Sequence, residues 1–125
     1  LVFTGDAADG SVKAYGDGLK PLMKINPKYG KYFVTGNHEY YSGVDQWLDE
    51  TDRLGMKNLV NSNEILNIKN SKIALAGVTD YRAQTIKKSH KTDPKKALKS
   101  LPDDIVKVVL AHQPASIFKV HESLF

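Results

Sequence analysis

The chain has 125 residues, 41% of them hydrophobic and 26% charged, with no cysteine and a net charge of +4. That mixture can bury one modest core, and it excludes a disordered chain, a disulfide framework, a thiolate metal site and a cysteine nucleophile. No run approaches the ~18 consecutive apolar residues of a membrane-spanning helix, and no signal-peptide apolar region opens the chain.

In chain order, Leu1-Val2-Phe3-Thr4 reads as the end of a buried strand, from which Gly5-Asp6 turns away. Over residues 11–27 apolar side chains recur at Val12, Tyr15, Leu19, Leu22 and Met23, a helical spacing. Gly16, Gly18 and Pro21 make that helix imperfect, with a kink or restart at the proline. Asp9, just ahead of it, is read as the helix cap. Tyr32-Phe33-Val34-Thr35 is a β-branched and aromatic strand ending in Gly36, and a loop is expected after it. A helix is predicted over 44–54, burying Trp47, Leu48 and Leu54 and stopping at Gly55.

Residues 58–60 predict a short strand, and 65–68 with 73–78 predict a hairpin about Asn70-Ser71. Asp93 as cap and Pro94 in the first position start a helix running to about Leu101. Residues 105–111 are the most strand-like run of the chain. This alternation predicts an α/β domain around a layered, mixed sheet, without internal repeats.

The basic charge is local. Residues 87–99 hold Lys87, Lys88, Lys91, Lys95, Lys96 and Lys99 against Asp93, a local charge of +5 that leaves −1 for the rest. The segment reads as a solvated loop and helix face, with a phosphate-bearing surface as the sharper alternative. No aromatic residue interleaves with the lysines, so no nucleic-acid partner is expected.

Three strands end alike, in an apolar run, a small or turn residue, and then a residue that binds metal or moves protons. Phe3-Thr4-Gly5 delivers Asp6; Phe33-Val34-Thr35-Gly36 delivers Asn37, His38 and Glu39; Val109-Leu110-Ala111 delivers His112. Ligands of open α/β sheets gather at the carboxyl ends of strands. Oxygen and nitrogen donors without sulfur suit divalent Mn, Fe, Zn or Mg. Each residue alone has a structural explanation, and only the repeated pattern argues for a site.

Gly5-Asp6-Ala7-Ala8-Asp9-Gly10, Gly36-Asn37-His38-Glu39 and the strand-end His112 resemble, in order, three motif blocks of the calcineurin-like metallophosphoesterases. The tyrosines of Gly36-Asn37-His38-Glu39-Tyr40-Tyr41 and the run Ala111-His112-Gln113-Pro114 are similar to a membrane-anchored branch of that family. The resemblance covers essentially the whole chain. It implies the central part of a four-layer αββα sandwich with mixed sheets, and a phosphomonoester or phosphodiester substrate. It also implies two divalent ions and a metal-activated hydroxide.

In that scheme Asp6 bridges the two ions, while Asn37 and His112 bind the second of them. His38 faces the scissile phosphate and protonates the leaving oxygen. Membrane association of the parent is implied by the resemblance alone. Glu39 either holds its loop or supports a neighbouring ligand. Tyr40 and Tyr41 either pack or contact substrate, and Asp80 either makes a turn or lines the substrate groove.

The family pattern begins with Asp-x-His on an earlier strand and ends with Gly-His-x-His on a later one, and this sequence has neither. These residues supply three of four expected protein ligands for one ion and only Asp6 for the other. Residues 1–125 are therefore expected to be one partial domain, an internal piece of a longer enzyme, inactive and poorly stable alone. The alternative is a scaffold that keeps the fold without catalysis.

Overall fold

The computed structural model describes residues 1–7 and 9–124, so Ala8 in the Gly-Asp-x-x-Asp-Gly spacer and Phe125 lie outside it. Two sheets of three strands form the frame. In the first, β1 (Val2–Phe3), β2 (Tyr32–Phe33) and β3 (Lys57–Asn58) run parallel, with Phe3 beside Phe33 and Phe33 beside Asn58. In the second, β4 (Ser62–Ile68) pairs antiparallel with β5 (Ser71–Gly77), and β5 pairs parallel with β6 (Val106–Leu110). The expected mixing is thus confined to the second sheet. The hairpin forms, with Lys69 and Asn70 as its turn and Lys69 at φ +55°.

Strand alternation assigns each face. Tyr32, Val34 and Leu59 of the first sheet pack against Leu75 and Leu110 of the second, making the buried seam between sheets. On the opposite face of β5, Ala76 and Val78 pack on Ala97 of α4 (Pro94–Leu98). Across the first sheet lies α3 (Val44–Arg53), which buries Trp47, and Asn58 of β3 donates its amide to the Leu48 carbonyl at 2.8 Å.

The seam is close-packed at Gly77, near the strand ends. A Cβ there would stand 2.3 Å from the Leu59 Cβ and 2.6 Å from the Val34 Cγ1. Gly77→Ala must separate the sheets and is expected to cost about 2 kcal/mol. The check is the shift in urea midpoint followed through Trp47, the single tryptophan, which is fully buried.

Several helices differ from expectation. The helix over 11–27 is instead a short α1 (Val12–Tyr15) followed by a 3₁₀ stretch, Gly16–Lys24. Gly16 and Gly18 weaken the α-form and Pro21 withholds an N–H, so the wider i→i+4 ladder is not sustained. Its cap is Ser11, whose hydroxyl accepts from the Ala14 N–H at 3.3 Å, so the assignment of that role to Asp9 is corrected. The loop expected after Gly36 is a helix, α2 (Asn37–Ser42). Asp93 and Pro94 do begin α4, which ends at Leu98 with Ser100 beyond it at φ +64°. Residues beyond β6, for which no element was expected, form α5 (Ser116–Leu124).

The lysines of 87–99 are solvated except Lys87, which is half-buried and paired with Asp45. Among the described residues no helix is long and apolar enough to cross a membrane.

Candidate metal centre

The first two strand ends meet backbone to backbone. Gly5 has φ +87°, and a Cβ on it would lie 2.3 Å from the Gly36 nitrogen. Gly36 in turn leaves room for Asp6, because its own Cβ would sit 2.2 Å from Asp6 Oδ1. Two glycines therefore let Asp6, itself at φ +55°, enter the N-terminus of α2. The left-handed region is tolerated by Asp better than by most residues, and such backbone concentrates at functional sites.

A reciprocal pair of bonds locks this crossing. The His38 N–H donates to Asp6 Oδ1 at 3.1 Å, and the Asp6 N–H donates to Glu39 Oε2 at 3.0 Å. Glu39 also accepts from the Gly36 N–H at 2.6 Å and, through Oε1, from the Ala7 N–H at 2.7 Å. Its carboxylate is fully buried and is spent on three backbone donors. Of the two roles left open for Glu39, the observed one is to hold the loops that carry Asp6 and Asn37. A carboxylate at this position also suits the positive end of α2.

His112 arrives from the second sheet. Its Nδ1–H donates to the Thr4 carbonyl at 2.7 Å, which leaves the Nε2 lone pair free. Nε2 points at Asp6 Oδ2, 3.3 Å away. Two electron-pair donors facing each other at that distance call for a proton or a cation between them. Asn37 lies on α2 between Gly36 and His38, both of which touch Asp6. Asp6 and His112 thus come to one place, and the backbone of Asn37 runs beside them at the start of α2. A carboxylate and an imidazole fit a hard to borderline divalent ion. Among the described residues no three His, Cys, Asp or Glu side chains gather as a metal site.

His38 stands at the edge of this group. Nε2 is 4.0 Å from Asp6 Oδ2, while Nδ1 is 2.8 Å from Asp9 Oδ1. The hydrogen bond to Asp9 raises the imidazole pKa above its ordinary value, with the Asp6 charge adding to the effect. Asp9, read as a cap, is instead the orienting partner of His38. Trp47 secures that loop by donating its indole N–H to the Gly10 carbonyl at 2.9 Å.

The tyrosines divide. Tyr41 is 64% exposed, with its ring edge-on to His38 at 5.6 Å between centroids. Tyr40 is buried, and burial pushes its phenol up to about 12. Its hydroxyl lies 3.1 Å from Thr35 Oγ1 and 3.0 Å from His90 Nδ1. Burial lowers the His90 pKa, keeping the ring neutral near pH 7 and able to accept from the phenol. Asp80 makes its turn by accepting the Arg82 N–H at 3.0 Å. It is also fully buried and accepts from the Gln113 side-chain amide at 2.7 Å.

A family model described as calcineurin-like phosphoesterase matches residues 1–123. The chain is 33% identical over 119 residues to "Transmembrane protein with metallophosphoesterase domain" of Danio rerio, covering 91% of this chain and 27% of that protein. It is 35% identical over 123 residues to "Uncharacterized metallophosphoesterase" of Helicobacter pylori, covering 98% of this chain and 32% of that protein. A protein of the same name from Aquifex aeolicus is 35% identical over 114 residues, with coverage of 91% and 42%. The chain thus spans well under half the length of these relatives. No solved structure matches it.

Proposed function

The chain belongs to the calcineurin-like phosphoesterase family, and on that premise we propose that the protein carrying it hydrolyses a phosphomonoester or phosphodiester with two divalent ions. Residues 1–125 are in this reading part of the domain. The further ligands come from sequence outside them, and so does any membrane attachment of the kind named in the relative from Danio rerio. The observation that carries the proposal is the meeting of Asp6 and His112 from two different sheets, at 3.3 Å, with the other ring nitrogen of His112 already committed to Thr4.

Asp6, with two oxygens to offer, would hold the ions together with Asn37 and His112. Mn, Fe, Zn and Mg are the candidates. Bound ions of this kind neutralise phosphoryl oxygens and acidify water. The chain's own chemistry is proton transfer at His38. With Nδ1 tied to Asp9, the free Nε2 is the atom that gives a proton to the leaving oxygen. Asp9 fixes the ring's orientation and favours its protonated form.

The test is hydrolysis of a chromogenic phosphodiester by the full-length protein supplied with Mn. Turnover should disappear on chelation and return with metal. Asp9→Asn should lower kcat about tenfold, because it weakens the orientation of one proton donor without removing it. Turnover that survives exhaustive chelation would refute the proposal.

A further inference from the structure

We infer that Asp80 is a positioning residue that keeps His112 in the centre by latching the second sheet to the first. The inference rests on the metal-centre reading above. The centre is assembled across two sheets, with Asp6 and Asn37 on the ends of β1 and β2 and His112 on the end of β6. Packing at the seam is apolar and sets the separation of the sheets, but apolar contacts do not fix the direction of a polar loop. Asp80, at the end of β5, supplies direction on both sides.

Toward the first sheet, the Asp80 N–H donates to Thr35 Oγ1 at 3.2 Å, one residue before Gly36. Thr35 continues to Tyr40 on α2, at 3.1 Å. Toward β6, Asp80 Oδ2 accepts from the Gln113 amide, whose residue adjoins His112. The Asp80 carbonyl is held as well, by the Thr92 hydroxyl at 2.6 Å.

The chemistry of the side chain separates latch from turn. A turn of this kind needs one side-chain oxygen, which Asn or Ser also provides. Oδ1 does that work with the Arg82 N–H. Among the described residues the second oxygen is bonded by Gln113 alone. Burying a carboxylate to hold a neutral amide is costly. Because a carboxylate only accepts, it forces Gln113 to present its NH₂, which fixes the rotamer of the residue next to His112.

The experiment measures Mn²⁺ affinity of the full-length protein by calorimetry, together with the unfolding midpoint of the metal-free form. Asp80→Ala and Gln113→Ala should each weaken Mn²⁺ binding about tenfold, as outer partners of metal ligands do. The double variant should be no weaker than either single one. In a His112→Ala background, Asp80→Ala should have no further effect on affinity. Asp80→Asn should keep near-native affinity, since its NH₂ can donate to the Gln113 oxygen once that amide is reversed.

If Asp80→Ala fails to fold, Gln113→Ala, a half-buried change, decides alone. Native affinity in Gln113→Ala, or an equal loss from Asp80→Ala with and without His112, would overturn the latch. Wild-type protein that binds no Mn²⁺ would remove the metal-centre reading and this inference with it.

Discussion

Asp6→Ala is expected to reduce phosphodiester hydrolysis by the full-length protein to background and to abolish measurable Mn²⁺ binding. His38→Ala should cut kcat by roughly 10² to 10⁴ while leaving Mn²⁺ binding near native. The contrast is the diagnostic, and calorimetry beside steady-state kinetics measures it. Asp6 is the meeting point of the site: Oδ1 accepts from His38, Oδ2 faces the free nitrogen of His112, and its backbone N–H is held by Glu39. Removing its carboxylate takes away the only anionic donor of the group and the counter-charge His112 faces. His38 has a different geometry. Its ring engages Asp9, and it stands 4.0 Å from Asp6, on the rim. Taking it away should leave the ligands in place and remove the proton needed late in the reaction. Equal loss of metal in both variants would mean that His38 is a ligand, and the role given to it would fall.

What the sequence made legible follows from the kind of signal each residue carries. Asp6, Asn37, His38 and His112 share a pattern, an apolar run followed by a turn residue and a donor, and patterns survive in one dimension. Their partners do not. Thr4 orients His112 through a backbone carbonyl, a group every residue has, so no choice of amino acid marks it. Asp9 was assigned locally, because an acid just before a helical stretch is a common cap. Ser11 takes that role, and the partner of Asp9 is His38, 29 positions away.

The α2 helix was hidden for a related reason. Asn-His-Glu-Tyr-Tyr-Ser has no apolar stripe, and only Glu39 and Tyr40 are buried there. Burial of a carboxylate cannot be read from its identity, so the sequence leaves Glu39 between a loop and a ligand role and Asp80 between a turn and a groove role. The fold class was accessible because strand and helix periods alternate. The division into one parallel and one mixed sheet was not, since the partners of the parallel pairs lie 25 to 33 residues apart, as Val2 with Tyr32, Tyr32 with Lys57 and Ile73 with Val106.

Glu39→Ala is expected to abolish the cooperative unfolding transition of this domain in the full-length protein when followed by calorimetry, whereas Glu39→Gln should retain one with a lowered midpoint. Glu39 is fully buried, and three backbone N–H groups end on it. Leaving a buried donor unpaired costs about 1–3 kcal/mol each, and alanine adds a cavity. The Gly36 N–H is buried and bears the full cost, while those of Asp6 and Ala7 are partly reachable by water. A combined loss of about 4 kcal/mol approaches the whole stability of a small domain. Gln keeps the length and one acceptor. Its oxygen can replace Oε2, which serves both Asp6 and Gly36, leaving its NH₂ opposed to the Ala7 N–H alone. The expected order, native above Gln above Ala, follows from counting donors against acceptors. A Gln variant as unstable as Ala would mean that the negative charge at the start of α2, rather than the bond count, holds the crossing of the two loops together.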